Sequence, residues 1–152
     1  MAIGGPCYSP FLLIVMLSHA ARFDSPKTSE TLISKARLLL GTEIHRPSSV
    51  PTAQALLQLS ARDLAYGSTS QAWLYSGMAF RMVSDLGLHH STVNVSSLGH
   101  LSAEDLEIRR RLFWSCYFWD KAISLYFGRT PVLLELPLNG SPELGTSSSS
   151  SY

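Results

Sequence analysis

Asp120 lies in the most aromatic stretch of this sequence, with Tyr117, Phe118, Trp119, Ile123, Tyr126 and Phe127 around it. A carboxylate buried there without a partner would be costly. It is therefore expected to pair, and Arg81 and Arg129 are the two expected partners, because both adjoin residues that helix packing would bury. Arg109, Arg110 and Arg111 form a short basic run that could meet phosphate. Asp105 and Glu107 lie within one turn of it, so pairing along a helix is the preferred reading over nucleic-acid contact. His89 and His90 are adjacent, so their side chains diverge, and no further Cys or His stands at a metal-ligand spacing. They read as a helix-end pair, where imidazolium suits the negative terminus. Cys7 and Cys116 are the two cysteines. Two make neither a disulfide framework nor a thiolate zinc cluster, and reduced thiols in an intracellular compartment are the simplest reading. No G-x-S-x-G, phosphate-binding glycine loop or H-E-x-x-H occurs, and the acids form no convincing acid–base pair. The expectation is a protein that is not an enzyme, with no catalytic, cofactor-binding or metal-ligating residue of its own.

The chain has 152 residues, which suits one domain or one piece of a larger one. Hydrophobic residues make up 45% and charged residues 15%, against about 25% charged in a typical domain. Such a chain is mostly core, or a fragment whose missing partner would cover the rest. A net charge of +1 excludes a polybasic chain that holds nucleic acid by charge alone. The apolar run Phe11 to Leu17, followed by Ala20 and Ala21, has the outline of a signal peptide. It lacks the Lys or Arg that should precede it, and it is far too short to span a bilayer. A buried helix after Pro10 is the better reading, and no membrane partner is expected.

The apolar spacing is helical almost throughout, which predicts an all-α fold: an irregular multi-helix bundle of about five helices. The first helix is predicted from Pro10 to Phe23, then a turn at Asp24 to Pro26. The second spans Ser29 to Ile44, capped by Ser29, with Lys35 and Arg37 leaving toward solvent, so Arg37→Ala should be nearly silent. The third runs from Pro51 to Tyr66 and ends at a left-handed Gly67. The fourth runs from Gln71 to Leu86, with Gly77 expected at a close helix contact. Gly87 caps it, and Leu88 packs back on its last turn. The fifth opens at Ser102, where Ser102 and Asp105 have capping-box spacing, and stops at Gly128. Its second half is apolar on nearly every side, which predicts a place in the middle of the bundle. Residues 1–9 read as a leader, 10–138 as the domain, and 139–152 as a serine-rich tail expected to be disordered.

The stretch Gln71 to His89, QAWLYSGMAFRMVSDLGLH, resembles one block of the fungal-specific transcription factor domain, the middle homology region of fungal zinc-cluster transcription factors. A second block resembles Glu107 to Trp114, then Asp120-Lys121 and Ser124 to Pro131. Phe11 to Phe23 and Pro47 to Arg62 are similar to the family's earlier helices, so the likeness covers residues 10–137. Thr130 departs from the family's usual Gly-Arg-Pro-Pro and bears on that turn alone. The residues carrying the family motif are Asp85, Gly87, Arg110, Arg111, Trp114, Asp120, Gly128 and Arg129. The resemblance implies a non-catalytic regulatory domain of a nuclear regulator, in a chain that looks like a fragment. In full-length members a six-cysteine cluster holding two zinc ions reads DNA and a coiled coil dimerises. This chain has neither, so DNA contact would come only through an absent domain, and zinc belongs only to that absent cluster. The implied partners are the remainder of a transcription factor or co-regulator proteins, with a small-molecule effector as a further possibility. The other reading is a helical scaffold or adaptor with no transcriptional role.

Overall fold

The computed structural model describes residues 8–88 and 102–133, and among them it is all helix and turn. Five helices follow in order: α1 (Pro10–Asp24), α2 (Pro26–Glu43), α3 (Val50–Ala65), α4 (Thr69–Asp85) and α5 (Ala103–Phe127). The expected all-α fold is borne out. The leader up to Cys7, His89-His90, the domain end at 138 and the serine-rich tail lie outside the described residues.

Proline opens three of these helices, at or beside the first position, where its missing N–H costs nothing. This corrects the start of α2. Ser25 alone separates α1 from α2, and Pro26 begins the second helix one turn before the expected cap at Ser29. Ser29 is buried instead, and its Oγ donates to the Ser18 carbonyl at 2.8 Å, pinning α2 to α1. At α5 the capping box forms as the sequence predicts. Ser102 Oγ accepts the Asp105 N–H at 3.0 Å, and Asp105 accepts the Ser102 N–H at 3.2 Å. Gly67, Gly87 and Gly128 all sit at positive φ, between 63° and 78°, as helix-stopping residues should. At Gly128 the Arg129 N–H reaches back to the Ser124 carbonyl at 2.8 Å, closing the helix end.

Two apolar clusters hold the helices. Phe11, Val15, Ile33, Leu40, Leu56 and Leu59 join α1, α2 and α3. Phe80, Val83, Phe113, Cys116 and Ile123 join α4 and α5, with Ala53 of α3. Leu57 and Met82 pack against both. Leu88 is buried against the second, as expected.

Two expectations fail here. A Cβ on Gly77 would meet nothing within 4 Å, so Gly77 marks open space on α4 rather than a close helix contact. The apolar α5 is not central either. It packs on α4 and α3 along one side, and Trp114, Phe118, Leu125 and Tyr126 stand exposed on the other. Residues apolar all round a helix imply burial on all sides, but they do not say that this chain supplies every cover.

Candidate functional site

The end of α5 and the turn behind it hold a buried carboxylate. Asp120 is completely buried. One of its oxygens accepts the backbone N–H groups of Val132 at 3.0 Å and Leu133 at 2.8 Å; the other accepts Val132 at 3.1 Å. Lys121 Nζ lies 3.2 Å from the same carboxylate and also donates to the Leu133 carbonyl. Asp120 therefore clasps the segment after the Gly128 turn against α5. The expected partners were wrong. Arg129 instead lies 4.6 Å over the Trp73 ring and 5.2 Å over Phe127, whose rings meet edge to face at 5.8 Å. Arg81 is exposed at the rim of a groove on α4. The physical reason is geometric: Asp120 faces two free backbone donors thirteen residues or fewer away, and a neutral N–H pair plus one lysine satisfies it without moving an arginine inward.

The basic run divides its labour. Glu107 accepts from Arg110 at 2.7 and 2.9 Å and from Arg111 at 2.7 Å. The Arg110 hydrogen bond, then that of Arg111, holds the Glu107 carboxyl down at about 2. Arg109 does something the sequence did not show. Its Nη2 donates to the Leu86 carbonyl at 2.7 Å, satisfying a carbonyl that the end of α4 leaves unpaired. Gly87 makes that approach a turn rather than a continuing helix. Asp85, just before it, is exposed on the groove rim.

The groove encloses about 640 Å³ and is lined by Trp73, Leu74, Gly77, Met78, Phe80 and Met82 of α4, with Ile44 and Val132 at its edges. It is apolar, with Arg81 and Asp85 as its charges. Trp114, also of the family motif, meets Tyr117 edge to face at 5.8 Å and is partly exposed. The eight motif residues thus do not converge on one reacting point. Asp120 forms the clasp behind α5, Gly128 ends that helix and Arg129 covers Trp73; Arg110 and Arg111 brace the first half of α5; Asp85 and Gly87 end α4.

Two buried polar centres escaped sequence reasoning. Ser60 Oγ donates to the Ala72 carbonyl at 2.8 Å and accepts Trp119 Nε1 at 2.9 Å, so one hydroxyl joins α3, α4 and α5. Asp63 is completely buried and accepts Arg37 Nη2 at 2.9 and 3.2 Å. Arg62, itself buried, lies 3.6 Å from Asp63, donates to Glu30 at 2.6 Å and covers the Tyr66 ring at 4.3 Å. Arg37 does not simply leave for solvent: its stem emerges, but its guanidinium neutralises a buried acid. An Arg-Asp dipeptide, Arg62-Asp63, in an otherwise uncharged helix was the available signal.

Among the described residues no three His, Cys, Asp or Glu side chains gather as metal ligands, and no helix is long and apolar enough to cross a membrane. With two cysteines, the chain cannot build a six-cysteine zinc cluster. Cys116 is buried, and burial, then the charge of Asp120, pushes its thiol up to about 12, so it is not a poised nucleophile.

Residues 4–142 match the family model described as the fungal specific transcription factor domain. An uncharacterized transcriptional regulatory protein of Schizosaccharomyces pombe is 40% identical over 136 residues, covering 86% of this chain and 22% of its own. The nitrogen assimilation transcription factor nirA of Emericella nidulans is 43% identical over 95 residues, covering 62% of this chain and 10% of its own. The activatory protein CHA4 of Saccharomyces cerevisiae is 38% identical over 131 residues, covering 78% of this chain and 20% of its own. The chain therefore spans less than a quarter of the length of these relatives. No solved structure matches it.

Proposed function

The chain belongs to the fungal specific transcription factor domain family, and from that premise we propose that it is a non-catalytic regulatory module of a transcription factor, acting in the nucleus. The observation that carries this reading is the family match over nearly the whole chain, to relatives named as transcriptional regulators. The geometry supports it. Three buried polar groups are spent on joining elements: Asp120 on the turn, Ser60 on three helices, Asp63 on α2.

The work of such a module is to pack against the remainder of a transcription factor or against co-regulators. DNA recognition, and the zinc that the family resemblance implies for it, belong outside these residues. The test has two arms. Fused between a bacterial DNA-binding domain and an activation region in yeast, the chain should change reporter output relative to the fusion without it. Alone, it should not shift a panel of duplex DNAs at the ~10⁻⁸ to 10⁻¹¹ M typical of specific complexes. Unchanged reporter output would overturn the regulatory reading. A sequence-dependent shift at nanomolar protein would overturn the assignment of DNA contact elsewhere.

A further inference from the structure

We propose that the groove on α4 is filled by the chain's own continuation, Leu134 to Leu138, which closes it against other apolar ligands. Gly77 and Met78 line the groove, with Val132 at one edge and Ile44 at the other. Its apolar lining, with Leu74 61% exposed, is a surface that calls for a cover. Gly77 leaves room for one, since a Cβ at that position would meet nothing within 4 Å.

The position of Val132 selects the occupant. Phe127 meets Trp73 at one end of α4 and Arg109 meets the Leu86 carbonyl at the other, so α4 and α5 run antiparallel. Asp120 lies one to two turns before Phe127, about 10 Å back along α5, which brings it level with Phe80. By accepting the N–H groups of Val132 and Leu133, Asp120 delivers the chain to the edge of the groove. Val132 lines the groove there, while Leu133 turns to the core. The next residues read Leu134-Glu135-Leu136-Pro137-Leu138. In an extended chain the three leucines share the side of Val132, and Glu135 and Pro137 take the other. Each extended step covers about 3.3 Å, so Leu136 reaches about 13 Å from Val132, enough to cross the ~10–12 Å width of a helix toward Ile44. The charges match as well. Glu135 comes within side-chain reach of Arg81, which stands exposed on the rim and joins no ion pair among the described residues. Pro137 brings no N–H that an apolar groove would leave unsatisfied. An apolar effector or partner helix then reaches Met78 only by displacing this segment, which makes the contact a restraint built into the domain.

The test uses the full chain in a Cys7→Ser background, where buried Cys116 does not react. Gly77→Cys with Leu136→Cys should join within one chain through a short bismaleimide, read by mass spectrometry of the monomer. Ser115→Cys, exposed on α5, should give little product with Leu136→Cys. Glu135→Lys should lower the yield of the first pair, and adding Arg81→Glu should restore it. Leu136→Asp should raise the binding of an apolar fluorescent dye severalfold over the unsubstituted chain, with the helical circular dichroism unchanged. The charge exchange carries the test if that variant does not fold. Equal yields from Gly77→Cys and Ser115→Cys would overturn the docking, and so would dye binding that Leu136→Asp leaves unchanged. A yield that Glu135→Lys does not lower would remove Arg81 as the partner and overturn the register. Product formed only between chains would overturn the proposal in favour of a second copy.

Discussion

The carboxylate of Asp120 accepts the backbone N–H of Leu133 at 2.8 Å, so a side chain near the end of α5 fixes the chain thirteen positions later. Lys121 joins both ends of that contact, bonding the Asp120 carboxylate and the Leu133 carbonyl. Asp120→Ala should cost about 3 kcal/mol, because it leaves two backbone donors without their acceptor and a half-buried lysine without its counter-charge. Asp120→Asn keeps the shape but exchanges one acceptor for a donor, and should cost about half as much. Urea unfolding followed by circular dichroism measures both. A loss under about 0.5 kcal/mol for Asp120→Ala would show that the clasp contributes nothing to stability.

Arg37→Ala should destabilise by about 2 kcal/mol, since buried Asp63 would keep only Arg62, at 3.6 Å. Lys35→Ala, at an exposed neighbouring position, should stay within about 0.5 kcal/mol. Equal midpoints for the two variants in chemical denaturation would refute the role given to Arg37.

Cys116 should resist alkylation in the folded chain at pH 8 and react as soon as the chain unfolds. Mass spectrometry after iodoacetamide, in a Cys7→Ser background, reads this directly. The same thiol sets an alkaline limit. Its folded value of about 12 lies above the ordinary value of 9.0, so the unfolded chain loses its proton first. Its stabilising effect is intact below pH 9 and is lost progressively above it. Cys116→Ala should flatten that alkaline decline; an unchanged slope would remove Cys116 as its cause.

Glu107 should titrate near pH 2 by carbon-13 NMR of its carboxyl, well below the ordinary 4.5, because Arg110 and Arg111 bond its charged form. The contribution of these pairs is present above pH 4.5 and fades as pH falls toward 2. High salt should move the midpoint upward, since the cluster is at the surface. A midpoint at the ordinary value would mean that the arginines point elsewhere.

The five helices were legible because helical apolar spacing, glycine stops and the Ser102–Asp105 box act over a few residues. Even the brace of Glu107 by Arg110 and Arg111 is a matter of three and four positions along one helix. What lay beyond reach depends on neighbours distant in sequence. That Asp120 must be satisfied followed from its aromatic setting; that backbone N–H groups and Lys121 satisfy it, rather than Arg81 or Arg129, depends on where the turn after Gly128 places Val132. Arg37 looked solvated because position 37 does face outward, and only the docking of α3 brings Asp63 under it. Ser60 carried no mark at all, being one hydroxyl among many. The exposed side of α5 was misjudged because apolar residues announce burial without naming the chain that provides it.

The single residue between α1 and α2 bears on the order in which the molecule assembles. Ser25 separates two helices, and Tyr66 to Ser68 separate α3 from α4, so these pairs meet with almost no chain to close. Contacts this local form early, because little loop entropy is lost in making them. Phe113 and Ile123 must instead find Phe80 and Val83 across a much longer stretch of sequence. The second cluster therefore waits on the arrival of α5. Ser60 and Ala72 stand ready first, and the Trp119 indole reaches the hydroxyl only when that last helix seats.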